Sequence, residues 1–503
     1  MTRLFEWLIE KRLGGFRQQF NSINQNLPLQ SKTPQSVAVI GGGLAGLSAA
    51  GLLGERGLRV HLYERNFYLG GKVGGWKERF TDGKIFPIAH GFHAFFRQYY
   101  NLRNFLEKFG GLKHLRPVED YLILFKDQRK LGFRDVAPMP VLNLFSLYRK
   151  GLLNLRDILR NPRWFEMKCF LQYQEEKIYK NYDSLSFSKW ADRVGLSPAL
   201  RRVFTNFSRA FFMEPDQMSM AEMIKSFHFY FMGHGEGLRY DVLEDDFESV
   251  LINPCHDYLK TQGVEFFMNQ AVSKIEFDGR EYQLGGRSYH FVILAADLPA
   301  VQAILEASLP LRKRAEAFIE KIKRLRLARR YAVYRLWIDR ALSQKIPSFI
   351  FTDRYRLLDS MTQVHELERT ALQWTATKGG GVYELHSYSI PDDSLSATEI
   401  KAQLLKEMLL YFPDLKGYRI FYEHFQLKND FPGFYCSQFQ YRPTTVTPFP
   451  GFYLAGDWVR LPVPCMLMEA AVTAGLLAAN AILESQMLRP APIYTIPRQG
   501  VFA

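Results

Sequence analysis

A run of buried-strand character, VAVI at 37–40, passes straight into GGGLAG at 41–46, and few junctions leave a chain so little choice of fold. Gly41, Gly43 and Gly46 fill the GxGxxG pattern. The first glycine makes the tight turn, the second lets backbone approach a pyrophosphate, and the third lets the next helix sit close on the strand. LSAAGLLGERG (47–57) reads as that helix, closed by Gly57, and LRVHLYE (58–64) reads as a second strand. Strand, helix and strand in this order make one unit of a parallel α/β sheet. Leu44 and Ala45 stand in the glycine loop just ahead of that helix, whose amide groups and dipole favour a phosphate. Glu64 ends the second strand, where an acid accepts hydrogen bonds from an adenosine ribose. The chain is therefore expected to bind a dinucleotide.

Glu64-Arg65 is followed by a second glycine cluster with a cation, Gly70-Gly71-Lys72, within YLGGKVGGW (68–76). Such an element suits a pyrophosphate held deeply and permanently, which favours FAD over a nicotinamide. The far end of the chain carries its counterpart. GFYLAGDW (451–458) reads as a strand ending in Gly456-Asp457, and an alanine-rich helix starts near Met468-Glu469. A carboxylate such as Asp457 accepts from ribityl hydroxyls, and amides at the new helix start face a flavin carbonyl. Val272, in AVSKIEF, is a further candidate contact. A cofactor touched by both ends of a chain is a long one, so FAD is expected, bound tightly and without a covalent link.

GGGLAGLSAA, Glu64-Arg65, Gly70-Gly71-Lys72 and LAGDW…PVPCMLMEAAVTAG together resemble the flavin-containing amine oxidase and carotenoid desaturase superfamily. Within it, HGFHAFFRQYYNLRNF (90–105) is similar to a segment of the plant and cyanobacterial carotene desaturases, and the whole looks closest to the β-carotene desaturase/methyltransferases. Ala470 stands where that pattern carries arginine. The resemblance implies an α/β fold: a Rossmann-like FAD-binding domain with an inserted mixed α+β substrate domain. FAD-binding segments are expected at 36–110, 240–300 and 445–485. The substrate and membrane-facing domain is expected at 111–239 and 301–444, behind an amphipathic segment at 1–30.

The same resemblance implies an FAD-dependent oxidoreductase that desaturates a β-ionone ring, shifts a methyl group and leaves an aromatic ring. A flavin amine oxidase, an acyclic carotene desaturase or isomerase, and a carotenoid-binding flavoprotein without catalysis remain open beside it. It also places the residues after the second glycine cluster on a strand beneath the flavin, near His90, Gly91 and His93. Strand alternation then turns His90 and His93 to opposite faces. His93, which matches the family segment, is the candidate base that takes a ring proton, and His90 is its neighbour. Phe95, Phe96, Tyr99 and Tyr100 are expected to pack the start of the next helix. Arg97 is the candidate to orient an electron acceptor, for which a quinone is the candidate. Two histidines without a third ligand make no metal site.

A hydrocarbon offers no charged handle, so its binding rests on apolar burial at about 25 cal/mol per Å². The 41 Phe and 26 Tyr among 503 residues suit an unusually large apolar pocket or contact surface. The net charge of +14 admits nucleic acid or an anionic membrane as partner. No basic tail, zinc-finger spacing or RNA-binding signature is present, so no nucleic acid is expected. RLFEWLIEKRLGGF and LYRKGLLNLRDILRNPRWF instead interleave basic and apolar residues, as a membrane surface requires. The first is read as a basic amphipathic helix within residues 1–20, broken at Gly14-Gly15. No run reaches the ~18–20 uncharged residues of a spanning helix. Attachment is thus expected to be peripheral, on the cytoplasmic side of a membrane such as that of a plastid or a photosynthetic bacterium. Four scattered cysteines without CxxC pairs indicate neither a metal nor a disulfide framework, and a reducing compartment.

Overall fold

The computed structural model describes residues 2–118, 120–134, 136–137, 139–140, 142–150 and 163–501. Its centre is a five-stranded parallel sheet ordered Glu265–Phe267, Arg59–Tyr63, Ser36–Ile40, Phe291–Leu294 and Phe452–Leu454. The strands Ser36–Ile40 and Phe291–Leu294 are buried throughout and almost wholly apolar, because both faces of a parallel sheet are covered, while Arg59–Tyr63 leaves Arg59 exposed at its start. The helix Leu44–Glu55 follows the first strand, and Gly57 ends it with a φ of 76°. The helix Leu467–Ser485 lies against it so closely that a Cβ on Gly475 would sit 2.1 Å from the Ala45 carbonyl oxygen. Small residues there serve packing. This last helix, 19 residues long, is the longest apolar one among the described residues, yet Glu469 and Glu484 leave it no uncharged run of spanning length, as expected, and about two-thirds of it is buried inside the protein, as in a core helix.

A second sheet of seven strands stands beside the first. Its long strand Tyr331–Ile338, second from one edge, runs antiparallel between Gly381–Ser387 and Ile420–Lys428. The helix Ala397–Tyr411 contributes Ile400, Leu404 and Met408 to the core of this sheet. Helices Glu175–Tyr182, Phe187–Arg193, Pro198–Arg209 and Met220–Phe227 form a third layer. Of the basic-apolar stretch 142–165, residues 151–162 lie outside the described residues.

AVSKIEF is strand only at Glu276–Phe277. The backbone amide of Gln270 bonds the Glu64 carbonyl, and 270–273 face the central cavity as loop. At the start of the chain the helix spans Thr2–Leu13 and no further, because Gly14 and Gly15 turn it with φ of 72° and 90°. Gln18–Gln19 then pair with Tyr494–Thr495, tying the two ends together.

Candidate active site

Each glycine of the first motif has a distinct physical reason. Gly41 holds a φ of 110°, and a Cβ there would meet the Ala295 carbonyl oxygen at 2.6 Å. At Gly46 a Cβ would fall 1.9 Å from the Gly41 carbonyl oxygen, so only glycine lets the helix approach its strand. Gly43 is different: the nearest protein atom to a Cβ is Gly71 Cα at 4.0 Å. Its open side belongs to the cavity, which is where a pyrophosphate needs backbone without a side chain. The amide of Gly70 bonds the Gly42 carbonyl at 2.8 Å, which draws the two glycine clusters together. No side chain caps the helix beginning at Leu44, so its positive end is left for an anion.

Glu64 is buried and already engaged: its Oε2 accepts from the Gly42 amide at 2.7 Å and its Oε1 from the Asn66 amide at 2.8 Å. The carboxylate is thereby fixed in the cavity wall with lone pairs remaining for ribose hydroxyls. Lys72 Nζ donates to Asp457 Oδ2 at 3.1 Å, joining the second glycine cluster to the Gly-Asp turn of the last strand. Gly456 must be glycine, with a φ of 145° and Trp458 Nε1 2.7 Å from where a Cβ would be. Leu467 opens the last helix at a φ of 49°, a left-handed conformation that is costly for leucine and that sits in the cavity wall. Gly41, Gly43, Leu44, Ala45, Glu64, Arg65, Gly70, Gly71, Lys72, Val272, Gly456, Asp457 and Met468 all line this cavity. The donor set, the open glycine backbone and the uncapped helix suit a flavin dinucleotide.

The cavity, about 660 Å³, continues past the dinucleotide cradle into a chamber walled by aromatic rings. Phe92 stacks on Phe349 with centroids 4.1 Å apart, and Phe212 stacks on Phe431 at 3.8 Å. Phe96, Tyr99, Phe207 and Tyr230 continue the wall. The last two groups come from different layers, so residues 90–100 form the seam between cofactor fold, helices and second sheet. Phe95 and Tyr100 are packed in the core as expected, whereas Phe96 and Tyr99 reach the cavity.

The strand carrying the first histidine ends at Ala89, and residues 90–94 are loop. Gly91 has a φ of 134°, and His386 lies 3.3 Å from the position of a Cβ. The left-handed turn cancels strand alternation, so His90 and His93 both line the cavity and do not face opposite sides. His90 lies 3.3 Å from Tyr331 Oη, which in turn donates to Asp430 Oδ1 at 3.0 Å. Burial pushes the Asp430 carboxyl upward, but His90 and Lys72 outweigh it and hold the group well below the ordinary range. Lys428, the strand partner of Tyr331, completes this polar floor.

His93 Nδ1 is 2.8 Å from the Gly91 carbonyl oxygen. A carbonyl only accepts, so Nδ1 carries the hydrogen and Nε2 is a bare lone pair. Burial brings the ring's pKa down to about 4, with the Gly91 bond pulling weakly the other way. The surface that His93 exposes faces the cavity. Sequence reasoning missed Asp430, Tyr331 and Lys428, whose segments hold no pattern that sets them apart from other strand ends.

Two expected residues are elsewhere. Arg97 is not in the cavity wall; its Nη1 and that of Arg103 clasp Asp241 Oδ2 at 2.9 and 2.8 Å. Glu469 accepts from the amides of Asn101 and Leu102, both at 2.9 Å. It caps the helix Tyr100–Glu107 and does not touch the cavity. Burial pushes its carboxyl up to about 8 against the pull of those amides. Cys465 is buried off the cavity with its thiol pushed up by burial, out of place for a covalent flavin link. All four cysteines are free.

The family described as "Flavin containing amine oxidoreductase" matches residues 44–483. A Streptomyces griseus protein, "Carotenoid phi-ring synthase", is 35% identical over 475 residues, covering 92% of this chain and 91% of its own. A protein of the same description from Chlorobaculum tepidum is 27% identical, covering 95% and 93%. Among solved structures, the cyclohexylamine oxidase of Brevibacterium oxydans superposes with a TM-score of 0.63 at 16% identity, over 90% of this chain and all of its own, a likeness of fold.

Proposed function

Since this chain belongs to the flavin containing amine oxidoreductase family, we propose that it uses FAD to convert the β-ring of a cyclic carotene into an aromatic phi-type ring. The observation that carries this reading is the single cavity that joins a dinucleotide cradle to an aromatic chamber with a neutral histidine at the junction. The two relatives described as carotenoid phi-ring synthases, aligned over nearly the whole chain, support the same substrate class. FAD, when bound, supplies an acceptor for hydride from an allylic carbon.

The protein's own groups do the rest. Gly43, the uncapped helix start and Glu64 bind the dinucleotide, and Lys72 and Asp457 close over it. Aromatic faces such as Phe92 and Phe349 bind the ring and polyene by area alone and exclude water, which would otherwise capture a carbocation. After a methyl group moves to the cationic carbon, Nε2 of His93 is the lone pair available to take the ring proton. The polar floor of His90, Tyr331 and Asp430 is kept away from charge transfer by its own internal bonds.

Peripheral membrane attachment belongs to the same proposal. Trp7 and Leu8 stay half exposed on a helix that docks through Ile9, and Phe145, Tyr148 and Phe165 are likewise exposed. With Lys11 and Arg12 in the last turn of that helix, this composition favours an anionic lipid surface. Expression in a bacterium that accumulates β-carotene tests the function. Pigment with shifted retention, less hydrogen and every carbon retained is expected. Unchanged β-carotene beside an FAD-loaded protein overturns the assignment.

A further inference from the structure

His93 is shared by two cavities. On its other side lies a small chamber of about 30 Å³, enough for a water or two by volume. Its wall contains one cation, Arg335, against three carboxylates, Asp245, Glu368 and Glu384. Arg335 donates to Glu368 Oε1 and Oε2 at 3.0 and 2.9 Å and to Glu384 Oε2 at 2.9 Å, all deep in the molecule. Most of its surface is apolar, but the carboxylates at its wall offer partners for a water, and they outnumber the cations even when Arg369, paired with Asp245 at 3.5 Å, is counted. Asp245 is its outlet: half-buried, it accepts from the backbone amide of Arg369 at 3.1 Å and pairs at 3.5 Å with the Arg369 side chain, which stands in solvent.

We propose that this acidic chamber is the exit for the proton released by the substrate ring, from His93 through its water past Glu368 to Asp245 and solvent. The inference rests on the carotene reading above. In the step concerned a ring C–H bond breaks, its electron pair becomes the new ring double bond, and the proton passes to Nε2 of His93. The chamber water takes that proton and returns His93 to neutrality for the next ring bond. Without an outlet, one turnover in an apolar cavity would leave a buried imidazolium. Burial supports the arrangement from both sides, bringing His93 down to about 4 and pushing Glu368 up to about 7 despite Arg335. Other charges facing Glu368 are Glu384, with His386 at 3.1 Å from it, and Asp246.

The test uses the FAD-loaded full chain with β-carotene in phosphatidylcholine vesicles, in a single anaerobic turnover. Each turnover removes one hydride and one proton, so bleaching of the flavin band reads hydride loss and the pigment spectrum reads the new ring double bond formed when the proton leaves; the full aromatic ring takes two such turnovers. Asp245→Asn and Glu368→Gln should bleach at the wild-type rate yet form product at least about fivefold more slowly, with a rate that rises with pH. Added formate, a small proton carrier, should restore product formation in Asp245→Asn. Wild-type product rates and pH profile in both variants overturn the exit, as does slowing without rescue by formate. A wild type that carries FAD but neither bleaches nor changes the pigment overturns the carotene reading itself, a separate result.

Discussion

His93 is a base whose protonation state is set by its surroundings and not by solvent pH. With the ring neutral down to about 4, conversion should show no loss attributable to this group between pH 8 and about 5. His93→Gln keeps the side-chain volume and a bond to Gly91 but removes the basic nitrogen. It should retain the flavin spectrum while conversion falls about 10²–10⁴-fold, the usual worth of a general base; full turnover in that variant reduces His93 to scaffolding. Gly43→Val addresses the other half of the site. Its side chain meets no protein atom closely, so the fold should survive while the flavin absorbance of the purified protein disappears. The glycine positions were readable in the sequence because backbone approach to a phosphate admits one residue type. The cavity-facing of His90 was not, because it depends on the φ of Gly91 and on His386, which is distant in the chain.

At the scale of elements, Glu469 links the last helix to the helix that begins at Tyr100. Its carboxylate satisfies two of the amides that a helix start leaves open. Glu469→Ala should destabilise the protein by about 2 kcal/mol or more, read as a lower denaturant midpoint. The sequence motif that contains Glu469 suggested a cofactor contact, since motif position gives proximity to the cofactor but not the direction a side chain takes. Strands 36–40 and 331–338 were legible from largely apolar runs, because both are buried throughout, and 59–63 from its place after the helix, although its Arg59 is exposed. The short strand Glu276–Phe277 was not, being bounded by loop geometry at the cavity. The helix Thr2–Leu13 offers a separate measurement. A Trp7→Asp, Leu8→Asp pair should abolish flotation with anionic liposomes without altering the flavin spectrum, as both side chains stand in solvent.

For the molecule as a whole, buried ionisable groups set the response to acid. His93, His228 and His234 each have a folded-state pKa of about 4 because burial disfavours the charged ring. An unfolded chain takes those protons near the ordinary value of 6.5, so stability drains as pH falls from there to about 4. Fully buried His228 contributes on the order of 3 kcal/mol, and half-buried His93 contributes less. Glu469 acts in the opposite sense, losing stability as pH rises from its ordinary value of 4.5 through about 8. Melting temperature followed across pH should therefore fall on both sides of a maximum, and His228→Phe, which keeps the stack on Tyr173, should flatten the acid limb. The contact of Lys72 with Asp457 spans 385 residues of sequence. A ribosome has thus made nearly all of the chain before both walls of the cradle exist, and the two ends pair only when Tyr494–Thr495 have emerged. Flavin capture is accordingly an event of completed chains, and a nascent protein must wait with its aromatic chamber open and its yellow cofactor still in solution.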